Sequence, residues 1–447
     1  MAGIATANVL RASQANIPEP VAIVAAEDTT LTIALPFGLG AESAVLTLAR
    51  ADGATIAAPI PTPVALAGSP TYELATIADS ALAGPGTRAN LAMNPADGSY
   101  ALHYSRWADD PASRRYYSLQ GGAWAREDVP SALPIPLGRN LAIDKSGVAR
   151  LVGTSTFGLT YYSRPPGPAG QWAMDMLEPD AMLDDAVVQV DTTANVPQVV
   201  YGKYEQYYHR LLWTHCVNGE WMVPQYIEAW CDVDAFDFAI APDGSQHVAY
   251  ARHPDSAQYP EIIYAWRSEN SGAWTYVRTG YFGYDLQSLS IGFDGVGNTP
   301  VIAFIDYAEM DTCGLRRRAI VVYKTPFFWM WEPLDGTLYT PWLVRVRTTP
   351  AGRTHLAYYE AGDEWAPNGG PGRVVHVERE SEGFRLFRPW YRDTVVESGD
   401  ERLGVGEVVP PFDMRLASDE PAIMFGLFKS GISPTPGPLL NARLLAR

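Results

Sequence analysis

Short runs of alternating apolar and polar residues recur along most of this chain. Residues 237–280 contain four such runs, separated by turn signals at Pro242-Asp243-Gly244 and Ser271-Gly272. Alternation with a period of two is the signature of half-buried strands. The pattern predicts a small antiparallel sheet with strands at Phe238 to Ala241, His247 to Ala251, Ile262 to Trp266 and Trp274 to Arg278.

The same unit recurs along the chain at a spacing of roughly 50 residues, which is typical of blades, solenoids or arrays. Copies of the first strand lie at Leu91, Leu141, Val188, Leu289, Val344 and Met414. In several copies the fourth strand opens on a tryptophan after a glycine turn, at Trp124, Trp172, Trp221 and Trp274. Four short strands per repeat favour a β-propeller over a helical solenoid, with the aromatic of each fourth strand packed on a neighbouring blade.

We count about seven copies and therefore predict an all-β fold, a seven-bladed β-propeller of four-stranded blades over residues 69–447. The last copy, from Phe412, ends before a fourth strand. Tyr72 to Ile77 precedes the first complete repeat and has the pattern of a fourth strand. We expect this segment to complete the last blade, since joining the two chain ends in one sheet removes an open edge.

Residues 1–68 do not match the repeat and predict a small N-terminal β module, with a hairpin signal at Asp52-Gly53. We expect either a cap on the propeller or an attachment domain that binds an assembly partner or self-associates. The run EDTTLTIALPFGLGAESAVLTLARADGATI, from Glu27, resembles the small N-terminal β domains of phage baseplate and tail-fibre proteins. That resemblance implies a component of a virion tail or another extracellular assembly.

The composition narrows the classes of partner. The 447-residue chain has a formal net charge of −17, which argues against nucleic-acid binding and against anionic membrane surfaces. No apolar run reaches membrane-spanning length, so we expect no membrane insertion. The N-terminus has no signal-peptide pattern. We expect synthesis in the cytoplasm, with any action outside the cell as part of a particle.

The turns between first and second strands and between third and fourth strands are tight, whereas the other connections are long. Because these two kinds of connection emerge at opposite ends of the sheets, the long loops share one face, where function is expected. Aromatic rings beside carboxylates and basic groups are suited to sugar recognition. The candidate ligand-binding residues on this face are Trp107, Asp109, Asp110, Tyr204, Tyr208, His209, Arg252, His253, Asp255, Tyr259, Asp306, Glu360 and Trp365.

Three of these candidates belong to a ring of polar residues that lies two positions past the aromatic of each second strand: Arg252, Asp306 and Glu360. Their charges could bind a ligand or pair with one another. The sequence shows no metal-ligand spacing and no phosphate or dinucleotide loop, so we expect no cofactor and no metal. His247 and His355 occupy equivalent repeat positions, which favours a scaffold role over a ligand role.

The repeat as a whole, LAIDxxGxxxVAY followed by YAxxxxGxW, resembles the repeats of bacterial and fungal seven-bladed propeller lectins. This resemblance implies sugar sites on or between blades. We expect non-enzymatic recognition of a glycan or cell-surface receptor by the long-loop face. A polysaccharide-active hydrolase or lyase, with a close pair of carboxylates among the candidates, is the alternative. A protein-interaction scaffold is the third interpretation.

Overall fold

The computed structural model describes strands between Ile4 and Ala446. It describes side chains over most of residues 89–379 and over 413–416 and 421–424. The longest segments that it does not describe are 35–43, 61–70, 106–113, 128–138, 362–372, 380–390 and 398–411. Among the described residues, no helix has the length and apolar character needed to span a membrane.

The chain divides into two compact units. The first comprises residues 1–72 with 389–393 and 444–447, and the second comprises 73–388 with 394–443. The first unit contains a five-stranded sheet of order β3-β2-β1-β4-β5. Its strands are β1 Ile4–Arg11, β2 Glu19–Ala26, β3 Leu31–Ala34, β4 Ala44–Arg50 and β5 Thr55–Ile60.

The remaining strands form a β-propeller in which six blades are each built from consecutive antiparallel strands. Blade 1 contains β7 Arg88–Met93, β8 Tyr100–Ser105, β9 Arg114–Gln120 and β10 Ala123–Glu127. Blade 2 contains β11 Leu141–Ile143, β12 Ala149–Ser155, β13 Gly158–Arg164 and β14 Ala173–Pro179. Blade 3 contains β15 Leu183–Asp191, β16 Val196–Glu205, β17 Tyr208–Val217, β18 Glu220–Trp221 and β19 Gln225–Glu228.

Blades 4 to 6 repeat the same meander. Blade 4 contains β20 Asp232–Ile240, β21 Gln246–His253, β22 Glu261–Arg267 and β23 Thr275–Phe282. Blade 5 contains β24 Leu286–Asp294, β25 Thr299–Asp311, β26 Gly314–Lys324 and β27 Trp329–Pro333. Blade 6 contains β28 Thr340–Thr348, β29 Thr354–Ala361, β30 Arg373–Arg379 and β31 Tyr391–Glu397.

The consecutive-strand blades number six, one fewer than the predicted seven, because the end of the chain supplies only three more strands. These are β32 Phe412–Ala417, β33 Glu420–Lys429 and β34 Thr435–Ala446. They share a sheet of order β32-β33-β34-β6 with β6, Thr71–Ala83, from the other end of the chain. We call it the mixed sheet.

The described hydrophobic core lies between neighbouring sheets. Between blades 3 and 4, for example, Trp213 and Val200 pack with Phe238 and Tyr250. The fourth-strand tryptophans recur at these contacts, as the repeat pattern predicts. Each packs edge-on against an aromatic of the third strand of the preceding blade, in the pairs Trp172–Tyr116, Trp221–Tyr161, Trp274–Trp213 and Trp329–Tyr264. An aromatic pair of this kind contributes about 1 kcal/mol beyond its buried area, so the repeated pairs help to set the spacing of the blades.

The first strands are joined to one another by side chains that accept backbone N–H bonds. Asp237 of β20 accepts the Ile291 N–H at 2.8 Å, and Ser290 of β24 accepts the Val346 N–H at 3.2 Å. Asp413 of β32 accepts the Leu91 N–H of blade 1 at 3.1 Å. Short polar side chains at this position therefore satisfy backbone donors that an inner edge strand would otherwise leave unpaired.

Candidate functional site

The candidate site lies where the first strands begin, at the end of the sheets that carries the long connections. We call this the loop end, and the opposite end, where tight turns such as the one at Gly244 (φ 81°) lie, the turn end. The described residues of the loop end belong mainly to blades 3, 4 and 5. They lie in or next to the connections that follow β16, β19, β21 and β23.

A β-bulge places the central carboxylate of this region. The pairing of β20 with β21 shifts between Val233 and Ala235, so Asp234 is the extra residue. Bulges re-aim a side chain and are common beside active sites. Here the Asp234 Oδ2 atom lies 3.1 Å from His253 Nε2, and the two side chains are 43% and 41% exposed.

A second histidine adjoins this pair. The backbone N–H of His209 donates to Asp232 Oδ1 at 2.8 Å, which ties the start of β17 to the start of β20. The Tyr204 ring packs edge-on against the His209 ring, with 5.0 Å between the centroids. Blades 3 and 4 therefore bring two imidazoles and two carboxylates to one end of their interface.

The electrostatics of the cluster shift the pKa of Asp234 upwards. Burial raises the pKa of Asp234, and the negative charges of Asp232 and Asp285 raise it further, while His253 and His209 oppose the shift. A carboxyl group with a raised pKa in contact with an imidazole is a common arrangement in acid–base sites. The arrangement therefore has the chemistry of an acid–base pair on an accessible surface.

Exposed aromatic rings surround the cluster. Tyr259 precedes β22 and Tyr284 precedes β24, and their rings are tilted with centroids 5.8 Å apart. Tyr284 and Phe282 are each 56% exposed, and Trp230, in the connection before β20, is 76% exposed. Single exposed rings are common on folded surfaces, but several of them grouped at one end of the sheets form the kind of apolar patch that binding sites use.

Three candidates with formal charges lie below this surface, in contacts with other protein groups. Arg252 donates from Nε to Glu261 Oε1 at 3.1 Å and from Nη1 to Glu228 Oε2 at 3.3 Å. Glu360 is fully buried and accepts from Arg373 Nε at 2.5 Å. Asp306 accepts the Tyr281 hydroxyl at 2.6 Å and the Tyr284 N–H at 2.9 Å.

These partners give the three charged candidates a positioning role. Asp306 holds the backbone of Tyr284 in place, and burial raises the pKa of Asp306, opposed by the hydrogen bonds that it accepts. The partners Glu228, Glu261, Arg373 and Tyr281 are not members of the ring of polar residues, so these contacts differ from the pairing of ring members with one another that the sequence left open. These buried contacts hold the backbone of the loop end in place.

The other predicted candidates divide into two groups. Tyr204, Tyr208, His209, His253 and Tyr259 all lie at the loop end of blades 3 and 4. Trp107, Asp109, Asp110, Asp255 and Trp365 lie outside the described residues. The prediction missed Asp232, Asp234 and Asp285. The Asp-x-Asp spacing at the start of β20 was visible, but a bulge that turns its second carboxylate towards His253 was not.

In the described part of the chain, one group has the composition of a metal site: His355, His376 and Glu378, whose ligand atoms lie within 4.8 Å of one another. His355 Nδ1 and His376 Nε2 are 3.0 Å apart in rings tilted by 12°, which is the geometry of an N–H···N hydrogen bond. The equivalent position in blade 4, His247, bonds in the same way to the Tyr264 hydroxyl at 2.5 Å. The comparison supports a scaffold role for this position.

No known protein-family model and no curated protein matches the sequence. Solved structures are similar in fold. An ulvan lyase, a polysaccharide lyase, superposes with a TM-score of 0.53 at 11% identity, covering 83% of this chain and 95% of that chain. An ulvan lyase structure bound to -[GlcA(1-4)Rha3S]- gives 0.51 at 11% identity over the same shares. The Dos1 propeller gives 0.44 at 9% identity, over 83% of this chain and 95% of that chain.

Likeness at this level of identity defines the fold and nothing finer. Together with the sheet order, it places the chain among the β-propeller proteins. Its chemistry has to be argued from its own residues.

Proposed function

We propose that the protein binds a glycan, free or on a cell-surface receptor, through the loop end of blades 3 to 5, without turning it over. The observation that carries this proposal is the exposed Tyr259–Tyr284 pair in the same region as Asp234, His253 and the exposed Trp230. A sugar ring stacks its apolar face on an aromatic, and its hydroxyls bond to carboxylates and imidazoles.

The expected affinity of one such site is low. One stacked ring and one or two hydrogen bonds to charged groups contribute about 1–3 kcal/mol each, and association entropy offsets much of the total. A dissociation constant near ~1 mM corresponds to about 4 kcal/mol. Useful binding therefore requires several contacts along an extended glycan or several copies of the protein acting together.

A glycan array, followed by titration of the best binder, tests the proposal. Tyr284→Ala should weaken binding about tenfold or more, because it removes a stacking surface. Tyr276→Ala is the matched control, since Tyr276 is 48% exposed on β23 but lies near the turn end. Equal effects of the two substitutions, or no binder on the array, would count against the loop end as a glycan site.

The second candidate function is a polysaccharide-active lyase or hydrolase. The Asp234–His253 contact favours it, because lyases and hydrolases both need a placed proton donor or acceptor. The names of the similar structures, two of which are ulvan lyases, point to the same class of substrate. A lyase takes a proton next to a carboxylate and leaves an unsaturated product, whereas a hydrolase adds water across the glycosidic bond.

Turnover assays separate these functions from simple binding. A lyase would generate the ultraviolet absorbance of an unsaturated uronate, and a hydrolase would generate reducing ends without it. His253→Gln should abolish either signal while leaving glycan affinity within a few-fold. Binding without either product, in wild type and variant alike, supports the non-enzymatic function and excludes both enzymes for the glycan tested.

Residues 1–68 are proposed to attach the protein to an assembly partner or to further copies of itself, which would supply the required multivalency. A protein-interaction scaffold is the remaining interpretation of the loop end. We also propose that the protein is made in the cytoplasm and acts outside the cell as part of a particle. Light scattering on the full chain and on a chain lacking residues 1–63 tests self-association.

We also propose that the mixed sheet is a seventh blade that closes the ring. Contacts of the mixed sheet with blades 1 and 6 support this proposal. Asp413 accepts the Leu91 N–H of blade 1 and lies 3.5 Å from Arg345 of blade 6. Met424 and Ala422 pack with Leu91 and Leu102. Deleting residues 69–80, which include most of β6, should abolish cooperative unfolding, and a wild-type melt would contradict the closure.

A further inference from the structure

A cavity of about 310 Å³ lies at the turn end of the first strands, far from the residues proposed above to bind glycan. Its wall is formed by the last residues of β7, β11, β15, β20, β24, β28 and β32. Its volume is at the lower end of the range for small-molecule sites, which is roughly 300–1,000 Å³. A water molecule takes about 30 Å³, so the cavity has room for a ligand much larger than one water.

One position in each first strand determines whether the cavity wall is formed there by a small residue or by an arginine. It is the residue that follows the buried apolar side chain of each first strand, such as Leu91 or Val346. In four first strands the position holds Ala92, Ala142, Ala239 or Gly292, and in β15 it holds Gln189. The small residues leave the space open. In β28 and β32 the position holds Arg347 and Arg415, so two guanidinium groups from successive first strands reach the same space.

Arg139, which lies just before β11 and is 5% exposed, adds a third guanidinium to the wall. Among the residues that the structure describes, the lining contains three arginines and no carboxylate. Two carboxylates lie behind it. Asp237 forms an ion pair with Arg139 and accepts the Ile291 N–H. Asp413 lies 3.5 Å from Arg347 and from Arg345, and 3.6 Å from Arg415.

The charges of this group do not cancel among the described residues. Arg139, Arg345, Arg347 and Arg415 carry four positive charges against the two negative charges of Asp237 and Asp413, which leaves an excess of two. Arginine stays protonated in proteins, so the excess cannot be removed by releasing a proton. An uncompensated buried charge is strongly destabilising, and a bound counter-ion would relieve it.

The hydrogen-bond donors of these arginines also indicate a bound anion. Arg347 Nε and Nη2, and Arg345 Nε, are buried and have no hydrogen-bond acceptor among the described residues. Asp413 Oδ1 lies 3.5 Å from Arg345 Nε and from Arg347 Nη2, which is longer than the usual N–H···O hydrogen bond of about 2.7–3.2 Å, so these contacts are ion pairs without a hydrogen bond. The shorter contacts of the Asp413 oxygens are to the backbone N–H groups of Met414 at 2.9 Å and Leu91 at 3.1 Å.

We infer that this cavity is a binding site for a small oxyanion, held by Arg347, Arg415 and Arg139. The ligand is a carboxylate, sulfate or phosphate group, since the planar fork of a guanidinium matches pairs of oxygens at that spacing. The group arrives either as a free inorganic ion or as the acidic substituent of a small sugar acid. The site is separate from the proposed glycan site, because none of its lining residues is among those proposed to bind glycan.

The test measures thermal stability and calorimetric binding of the full chain with sodium sulfate, sodium phosphate, glucuronate and glucose, against sodium chloride at equal ionic strength. Binding to the folded state raises the melting temperature in proportion to the logarithm of ligand concentration. We expect sulfate, phosphate or glucuronate to raise it above chloride, and glucose to have no effect. A preference for glucuronate assigns the site to sugar acids, and a preference for sulfate or phosphate assigns it to inorganic ions.

Substitutions identify the site. Arg347→Gln should weaken binding of the preferred anion about tenfold or more, since hydrogen bonds from charged groups are removed. Without anion this variant should melt at or above the wild-type temperature, because one repelling charge is gone. Arg278→Gln, at a 69% exposed arginine of β23, is the control and should bind like the wild type. Arg415→Gln repeats the test if Arg347→Gln does not fold.

Two results would overturn the inference. One is a wild-type protein that responds to none of the three anions more than to chloride. The other is retention of wild-type anion affinity by both Arg347→Gln and Arg415→Gln.

Discussion

The carboxylate–histidine cluster at the loop end and the arginine-lined cavity differ in the sign of their charged groups. At the loop end, Asp232 and Asp234 begin β20 and Asp285 precedes β24, so acidic groups dominate around two histidines. At the turn end, Arg347 and Arg415 lie near the ends of β28 and β32, and the described lining of their cavity contains no carboxylate. A strand of nine residues, such as β20, separates the two environments.

The difference shows that a net charge describes a whole protein and not its sites. The formal charge of −17 argues against polyanionic partners for the surface as a whole. It does not exclude a small oxyanion from a cavity whose own wall is basic, because charges beyond about 8–10 Å are largely screened by salt. Each end therefore has to be tested with its own class of ligand.

The largest effect is expected from Asp413→Asn, which breaks the charge balance of the turn end while keeping the size of the side chain. Asp413 is 1% exposed, and the change leaves three nearby arginines without their shared carboxylate. We expect a loss of about 3 kcal/mol or more in the free energy of unfolding, measured by urea denaturation. Asp97→Asn, at an exposed turn aspartate, is the control.

Two further measurements sharpen this result. Adding Arg347→Gln to Asp413→Asn should recover part of the lost stability, because the removed charge was one of those left unpaired. Burial raises the pKa of Asp413, but the four surrounding arginines outweigh burial and lower it overall. Its stabilising contribution is therefore present above the unfolded value, near ~3.9, and is lost as pH falls through the lower folded value. An unchanged midpoint in Asp413→Asn would contradict the proposed balance.

The next largest effect is expected at His247. Strand β21 has a histidine near each end, His253 at the loop end and His247 at the turn end. His253 is 41% exposed at the loop end, whereas His247 is 5% exposed at the turn end and bonded to Ser245 and Tyr264. Burial lowers the pKa of His247 from 6.5 to about 4, and Asp243 opposes the shift. The folded protein therefore binds this proton less readily than the unfolded chain does.

Stability should consequently fall as pH is lowered from about 6.5 to about 4, by about 3 kcal/mol in total from this group, and not change from this cause above pH ~6.5. Denaturation curves of wild type and His247→Gln across this range isolate the contribution, since the variant cannot titrate. An NMR titration of His247 with a midpoint near its unfolded value would contradict its burial.

The smallest effect is expected at the turn itself. Asp243 Oδ1 accepts the Ser245 N–H at 3.0 Å in a turn where Gly244 has a φ of 81°. Asp243→Ala should cost about 1 kcal/mol of stability, measured by denaturation, and leave glycan binding at the loop end unchanged. Weaker glycan binding in Asp243→Ala would show that the two ends are coupled.

Much of the fold could be predicted because its signals are local. Alternation at His247 to Ala251, the glycine turn at Gly244 and the tryptophan after a glycine turn at Trp274 each depend on a few consecutive residues. A repeated local signal indicates a repeated unit, and the observed Trp274–Trp213 contact follows from that repetition. The aromatic and histidine candidates of blades 3 and 4 were found for the same reason, since loop length is also local.

The sequence by itself therefore determined the strands, the blade repeat and the end at which long loops gather. Only the tertiary structure decided which charged groups meet. The bulge at Asp234 depends on pairing with β21, and the arginine cavity combines Arg347 of β28 and Arg415 of β32 with Arg139, which lies just before β11. Contacts of this kind depend on the propeller fold, because side chains on different first strands become neighbours only when the sheets are arranged about one axis.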